Sequence, residues 1–323
     1  MKQFLIKVLM FLVSCLIIIS SLKFVSNKVI DSGNYFQIKS NSKCLILGNS
    51  HPECAFNDSI INGFCNFSVS GESYFYNYFK MRKILENNTH IKEVFIEFSN
   101  TQINNKQDDK IFSDMYLSAR YPVYEPFFTL EDFILLLIKN RKVVLQAQSI
   151  ALKENLLFLM SSQYNYLQYK KCGGFVSINT AKIDSLIKDT KLHPYFRTKR
   201  IEMSEISLKY LRKSIDYCKS KGVKVHFIRS PYHENHELLR YEKEFIYMKN
   251  NRFSDVDFLD FAKFPLSNDG FADYGHLNSR GSTVFSIFFN KLIQEGLLNK
   301  SNKQGFINSE MEKQKKLVTT QAY

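Results

Sequence analysis

Residues 43–51 read Lys43-Cys44-Leu45-Ile46-Leu47-Gly48-Asn49-Ser50-His51. A short apolar run stopped by a glycine is the pattern of a strand buried on both faces. Working outward, the pattern returns at 63–69 (GFCNFSV), 93–98 (EVFIEF), 223–229 (VKVHFIR) and 256–261 (VDFLDF). Between these runs apolar residues recur at three- and four-residue spacing instead. Tyr74, Tyr78, Met81 and Leu85 share one face of a helix predicted over 74–86. Ile201, Leu208, Leu211, Ile215 and Cys218 share the face of another, which Gly222 ends. A helix over 236–250 follows the fourth strand. A last one, capped by Ser279, carries Val284, Phe285, Phe288, Leu292 and Ile293 and closes at Gly296. Strands alternating with helices predict an α/β fold, a five-stranded parallel sheet covered by helices on both faces. Ligands in such a sheet bind outside the carboxyl ends of the strands.

The alternation lapses over 101–200. That segment is rich in Tyr and Phe (Tyr116, Tyr121, Tyr124, Phe127, Phe128, Tyr164, Tyr166, Tyr169) and has long helical patterns at 130–137 and 143–160. It reads as a helical insertion or cap. Its aromatics, at helical spacing, are expected in a core rather than on a sugar-stacking surface. The sheet domain is therefore assembled from 43–100 and 201–299. A polar linker over 26–42 precedes it, and a polar, Lys-rich tail over 300–323 reads as disordered.

Residues 4–22 are apolar apart from Lys7, Ser14, Cys15, Ser20 and Ser21. About 20 residues cross a hydrocarbon core as a helix, so residues 1–25 read as a transmembrane anchor. A cleaved signal peptide is the competing reading, but no small-x-small cleavage site follows the run. Leu12-Val13-Ser14-Cys15 resembles a lipobox, yet Leu16, Ile17, Ile18 and Ile19 continue the apolar segment beyond the cysteine. Lys2 and Lys7 precede the span while Lys23, Lys28, Lys39 and Lys43 follow it, so charge alone does not orient it.

Composition narrows the classes further. With 323 residues, 45% of them apolar, the chain is neither disordered nor fibrous. Its 44 basic against 31 acidic residues give a charge of +13, but the cations are scattered. A basic surface facing anionic lipid or glycan is expected, not a nucleic-acid site. The six cysteines show neither C-x-x-C nor metal spacing, and Cys44 and Cys65 are expected as small buried hydrophobes. His233 and His236 form an H-x-x-H without a third ligand, so no metal and no cofactor is expected.

Two motifs stand where this fold places chemistry: Gly48-Asn49-Ser50-His51 after the first strand, and Asp273-Tyr274-Gly275-His276 between the fifth strand and the last helix. A serine hydroxyl needs a base to become a nucleophile, and an imidazole serves near neutral pH. The imidazole in turn needs an acceptor that fixes its tautomer. A serine after a strand is also a common cap residue, and D-x-x-H arises often by chance; it is the joint placement that points to catalysis. Arg229 and His233 leave the fourth strand on the ligand side and are read as substrate contacts, with a surface loop of incidental charge as the competing reading, and His51 is expected at the pocket rim.

On these residues the chain resembles the SGNH (GDSL-like) hydrolase superfamily, over roughly 43–100 and 201–296. Gly48-Asn49-Ser50 matches the first block with Asn in place of Asp, Ser70-Gly71 the glycine block, and Asp273-x-x-His276-Leu277-Asn278 the last. The third block, G-x-N-D, is represented only by Asn100 in Phe98-Ser99-Asn100-Thr101. The resemblance implies a flavodoxin-like sheet, Ser50 as nucleophile, His276 as base and Asp273 as its orienting partner. It further implies an oxyanion hole from the N–H groups of Ser50 and Gly71 and the Asn100 amide. One anchor ahead of such a domain is similar to the membrane-anchored exopolysaccharide O-acetylation and teichoic-acid D-alanylation proteins. That likeness implies a serine esterase or O-acyltransferase outside the cytoplasmic membrane, with a polysaccharide or other acylated glycan as substrate and a membrane acyl-donor protein as partner. The missing G-x-N-D keeps open a glycan-binding or assembly protein with a degenerate site. A carboxylesterase or lipase for small or lipid substrates is a further alternative.

Overall fold

Each apolar run becomes a strand, and each strand is shorter than its run because the ladder ends where the chain turns toward a helix. The computed structural model describes residues 1–180, 183–192, 202–236, 239 and 241–320. Ile201 and residues 237, 238 and 240 of the expected 236–250 helix lie outside the described residues. Along the chain, α1 (Lys2–Ser32) comes first. It is followed by β1 (Cys44–Leu47), α2 (Ser50–Ala55), β2 (Phe64–Asn66), α3 (Tyr74–Asn87), β3 (Glu93–Glu97) and the single turn α4 (Asn100–Ile103). A helical stretch continues with α5 (Asp109–Phe112), α6 (Asp114–Tyr124), α7 (Leu130–Lys139), α8 (Arg141–Met160), α9 (Tyr166–Tyr169) and α10 (Ile183–Leu192). Then come α11 (Glu205–Ser220), β4 (Lys224–Arg229), α12 (Glu242–Arg252), β5 (Asp257–Asp260), α13 (Ser279–Gln294) and α14 (Lys303–Thr320).

The five strands form one parallel sheet in the order β2-β1-β3-β4-β5. The order reverses direction at β1 and β3, and this switch point is where a flavodoxin-like sheet opens its ligand crevice. Both faces of the sheet are apolar, as the unbroken runs require. On one, Phe64 and Phe95 pack with Phe56, Phe261, Phe285 and Phe289 from the flanking segments. On the other, Phe227 stacks on Phe98 with ring centroids 4.3 Å apart, beside Phe253. Helix α13 begins one residue before expectation. Its N-cap is Asn278, whose side chain accepts from the Gly281 N–H at 3.0 Å, and not Ser279.

The chain divides into two units, Met1–Gln37 with Ile111–Lys171, and Ile38–Lys110 with Cys172–Tyr323. The expected insertion of 101–200 is thus narrower, and the N-terminal helix belongs with it. The expected linker also differs, because α1 continues to Ser32. Within it Asn27 donates to Glu125 at 2.8 Å and Ser26 and Ile30 are buried, while Lys23, just before it, pairs with Glu125 at 2.8 Å. The aromatics Tyr121, Tyr124, Phe127 and Tyr166 are buried in the core of this unit, while Tyr164 is exposed. Among the described residues, α1 is the one helix long and apolar enough to cross a membrane.

The tail expected to be disordered is α14. Ile307 is fully buried, and Gln304 does what a sixth strand would do: its side chain accepts from the Asp260 N–H at 2.8 Å and donates to the Asp260 carbonyl at 3.1 Å. A helix laid over the exposed edge of β5 satisfies backbone groups there and blocks pairing with another chain. Few apolar residues are needed for this, so composition concealed it.

Candidate active site

The strand β1 delivers Gly48-Asn49-Ser50 to the sheet's carboxyl edge, and α2 starts at Ser50. Position 48 tolerates no side chain, since a Cβ there would lie 2.5 Å from Pro52 Cγ and 2.6 Å from Glu97 Cβ. Asn49 caps α2, its side chain accepting from the His51 N–H at 2.9 Å. The loop after β5 brings Asp273 and His276 back to the same edge.

There His276 Nε2 lies 2.8 Å from Ser50 Oγ. Its Nδ1 lies 2.9 Å from both carboxylate oxygens of Asp273. Asp273 Oδ1 also accepts from the N–H groups of Gly275 at 2.8 Å and His276 at 3.0 Å. Burial works to raise the Asp273 carboxyl, but the His276 ring and these N–H groups outweigh it and hold it at about 2. An ionised carboxylate accepts only, which assigns the imidazole proton to Nδ1 and turns the Nε2 lone pair toward the serine hydroxyl. The arrangement fits removal of the Ser50 proton as Oγ attacks an electrophile. Ser50 and His276 are partly exposed, so the pair opens to the surface.

The three expected oxyanion donors follow adjacent strands. Ser50 comes after β1, Gly71 after β2 and Asn100 after β3. Gly71 has φ of 69°, a conformation that costs glycine nothing. Its turn is tied down on both sides: the Ser70 hydroxyl donates to Glu53 of α2, and Glu72 pairs with Lys80 of α3. Asn100 is buried, and its Oδ1 accepts from Arg229 Nη1 at 3.3 Å.

Three residues expected to contact substrate are placed otherwise. Arg229 is 2% exposed and paired with both Asp260 and Glu242, over the Phe245 ring. Its guanidinium is saturated by these partners, and it orients Asn100 instead. His233 donates through Nε2 to Asn268 Oδ1 at 3.1 Å, while its Nδ1 accepts from the Asn235 N–H at 3.2 Å. Its backbone N–H donates to the Tyr274 carbonyl at 3.0 Å, so this residue holds the loop that carries Asp273 and His276. His51 is buried away from the rim, with Nδ1 3.0 Å from Glu97 Oε1 and 3.1 Å from the Tyr232 hydroxyl.

Sequence reasoning missed Glu97 as the support of the turn that carries Ser50. Its carboxylate receives both the Asn49 N–H, at 3.0 Å, and the His51 ring. A signal was present: an acid inside the apolar run EVFIEF needs partners if it is buried. His236 was also missed as part of a histidine group, with ring centroids 6.4 Å from His51, and His51 5.0 Å from His276. Burial pushes the His236 ring down to about 4; the His51 ring adds to this, Asp273 opposes it, and His276 and Arg229 add again.

A pH dependence of stability follows. The folded pKa of His236 lies below its ordinary value of 6.5, so its contribution is complete above that value and is lost as pH falls toward about 4. Chemical denaturation between these limits is expected to give midpoints that fall with pH, and His236→Gln is expected to flatten that slope.

Among the described residues no cluster of three or more His, Cys, Asp or Glu is arranged to hold a metal. The thiols of Cys44, Cys54 and Cys65 are buried, and burial pushes them up to about 12, which leaves them unreactive.

A protein-family model matches residues 181–298, a stretch that holds β4, β5, Asp273 and His276. No curated protein matches the chain. Among solved structures it is similar to a candidate acylhydrolase from Bacteroides fragilis, at 11% identity over 83% of this chain and 92% of that one, with a TM-score of 0.34. It is also similar to a GDSL-like lipase from Bacteroides thetaiotaomicron, at 11% identity over 84% and 98% of the two chains, with a TM-score of 0.34.

Proposed function

We propose that this protein is a membrane-anchored serine esterase or O-acyltransferase that acts on cell-envelope or exported polysaccharide, outside the cytoplasmic membrane, through an acyl-enzyme on Ser50. The observation that carries the reading is the relay Asp273–His276–Ser50, with both of its hydrogen bonds below 3.0 Å. Ser50 Oγ attacks the acyl carbonyl carbon while His276 Nε2 takes its proton. The tetrahedral oxyanion is received by the Ser50 and Gly71 N–H groups and the Asn100 amide. As it collapses, the ester C–O bond breaks and His276 returns the proton to the leaving alcohol. Water or a sugar hydroxyl then gives its proton to His276 and attacks the acyl-serine; the acyl–Oγ bond breaks, His276 returns the proton to Ser50 Oγ, and an acid or a new ester leaves. The partly exposed serine and histidine support a polymeric substrate, because a chain can lie across an open site.

The test is turnover of p-nitrophenyl acetate, followed by acetyl transfer to polysaccharide acceptors. A protein that transfers to long glycan in preference to water fits the reading. One that hydrolyses small or lipid esters and ignores glycan supports a carboxylesterase instead. The proposed donor Asn100 has its own expectation: Asn100→Ala lowers kcat by ~10²–10³-fold with KM nearly unchanged, because the amide serves the oxyanion and not the ground state.

A further inference from the structure

Helix α7 has the sequence LEDFILLLIK and begins with a complete capping box from Thr129 and Asp132. Its Leu136 and Asp132 are buried. On another face Leu130, Ile134 and Ile138 are 73%, 44% and 77% exposed. Spaced four apart, they form an apolar stripe about 12 Å long. Large aliphatics aligned this way in water mark a surface meant to be covered.

The same unit indicates what covers it. Helix α8 runs parallel to the end of α1: Gln148 accepts from Lys23 at 2.8 Å, Asn155 donates to Asn27 at 3.0 Å, and Phe158 packs on Tyr35 with centroids 5.1 Å apart. Increasing residue number along α8 therefore leads away from the apolar part of α1. The first residues of α8, and the turn joining it to α7, lie toward that apolar part. This turn carries exposed Lys139, Arg141 and Lys142, the charge that anionic headgroups attract. The start of α7 is at the same level, since Leu130 and Phe133 line a cavity together with Ser20, Lys23 and Phe24 of α1.

We infer that the Leu130–Ile134–Ile138 face of α7 lies in the interfacial layer of the bilayer, with the α7–α8 turn among the headgroups. This inference rests on the reading of α1 as a membrane anchor. The unit formed by α1 and α6–α9 is then a two-point mount, one helix through the bilayer and one along its surface.

The chain contains no tryptophan, so one introduced residue reports alone. Full-length Ile134→Trp, Ile138→Trp, Leu12→Trp and Tyr164→Trp proteins are reconstituted in phosphatidylcholine/phosphatidylglycerol vesicles, with bromine placed near the headgroup end or the terminal end of the acyl chains. Leu12 lies in the apolar part of α1, and Tyr164, 76% exposed, follows the far end of α8. The expected result is blue-shifted emission from Ile134→Trp and Ile138→Trp, quenched most by the shallow bromine. Leu12→Trp is expected to be quenched most by the deep bromine, and Tyr164→Trp by aqueous iodide alone. If Leu12→Trp is quenched but both α7 reporters answer only to iodide, the inference fails and the anchor stands. Blue-shifted α7 reporters that neither bromine quenches mean that protein covers the stripe, which also overturns it. A Leu12→Trp untouched by bromine removes the anchor reading and the inference with it. Two reporters on α7 guard against one misfolding.

Discussion

Ser50→Ala is expected to lower turnover of p-nitrophenyl acetate on the order of 10⁴–10⁶-fold, and His276→Ala by a similar factor. The two losses are not expected to add in the double variant, because nucleophile and base act in one step. The serine hydroxyl meets a base at the 2.8 Å contact with His276 Nε2, and that ring is held by Asp273 on its other nitrogen. Neither replacement opens the core, since both side chains are partly exposed. Circular dichroism and denaturation midpoints should stay close to those of the parent protein. Retained turnover in Ser50→Ala would remove the serine mechanism. Equal inactivity of a folded parent and both variants would favour the glycan-binding alternative.

The second large effect concerns stability. Lys80 and Glu72 have fully buried side chains paired with one another, and Lys80 also donates to the Cys172 carbonyl at 3.0 Å. Lys80→Met deprives a buried carboxylate of its cation, a loss worth about 3–5 kcal/mol. Lys80→Met with Glu72→Gln should recover a large part of it, because the uncompensated charge is then gone. Urea midpoints of the two variants check this. Glu72 follows Gly71 directly, so Lys80→Met is also expected to reduce kcat by loosening the turn that carries a proposed oxyanion donor.

The fold was legible to the extent that it depends on local pattern. Apolar runs such as CLIL and EVFIEF are strands because a parallel sheet buries both faces, and the run lengths left room for no other element. Ser50, Asp273 and His276 stood out because two short polar motifs followed strands at the ligand-binding edge. What the sequence concealed depends on partners distant along the chain. Arg229 reads as a free cation until Asp260 and Glu242 are seen to saturate it. His233 reads as a substrate contact until Asn268 and Asn235 are found on its two ring nitrogens. The α14 tail reads as solvated because its lysines dominate the composition, whereas its fold depends on Ile307 and on the Gln304 contact with β5. The end of α1 reads as a linker from residue 26 for the same reason: Ser26 and Asn27 are polar, but Ser26 is buried and Asn27 donates to Glu125.

The central claim is that an acyl group resides on Ser50, and the direct measurement is mass spectrometry of the protein quenched in acid during turnover of an acyl ester. The account predicts one added acyl group on the peptide that contains Ser50, absent from Ser50→Ala and formed far more slowly in His276→Ala. Turnover accompanied by an adduct on another residue, or by none under conditions where deacylation is rate-limiting, would contradict it.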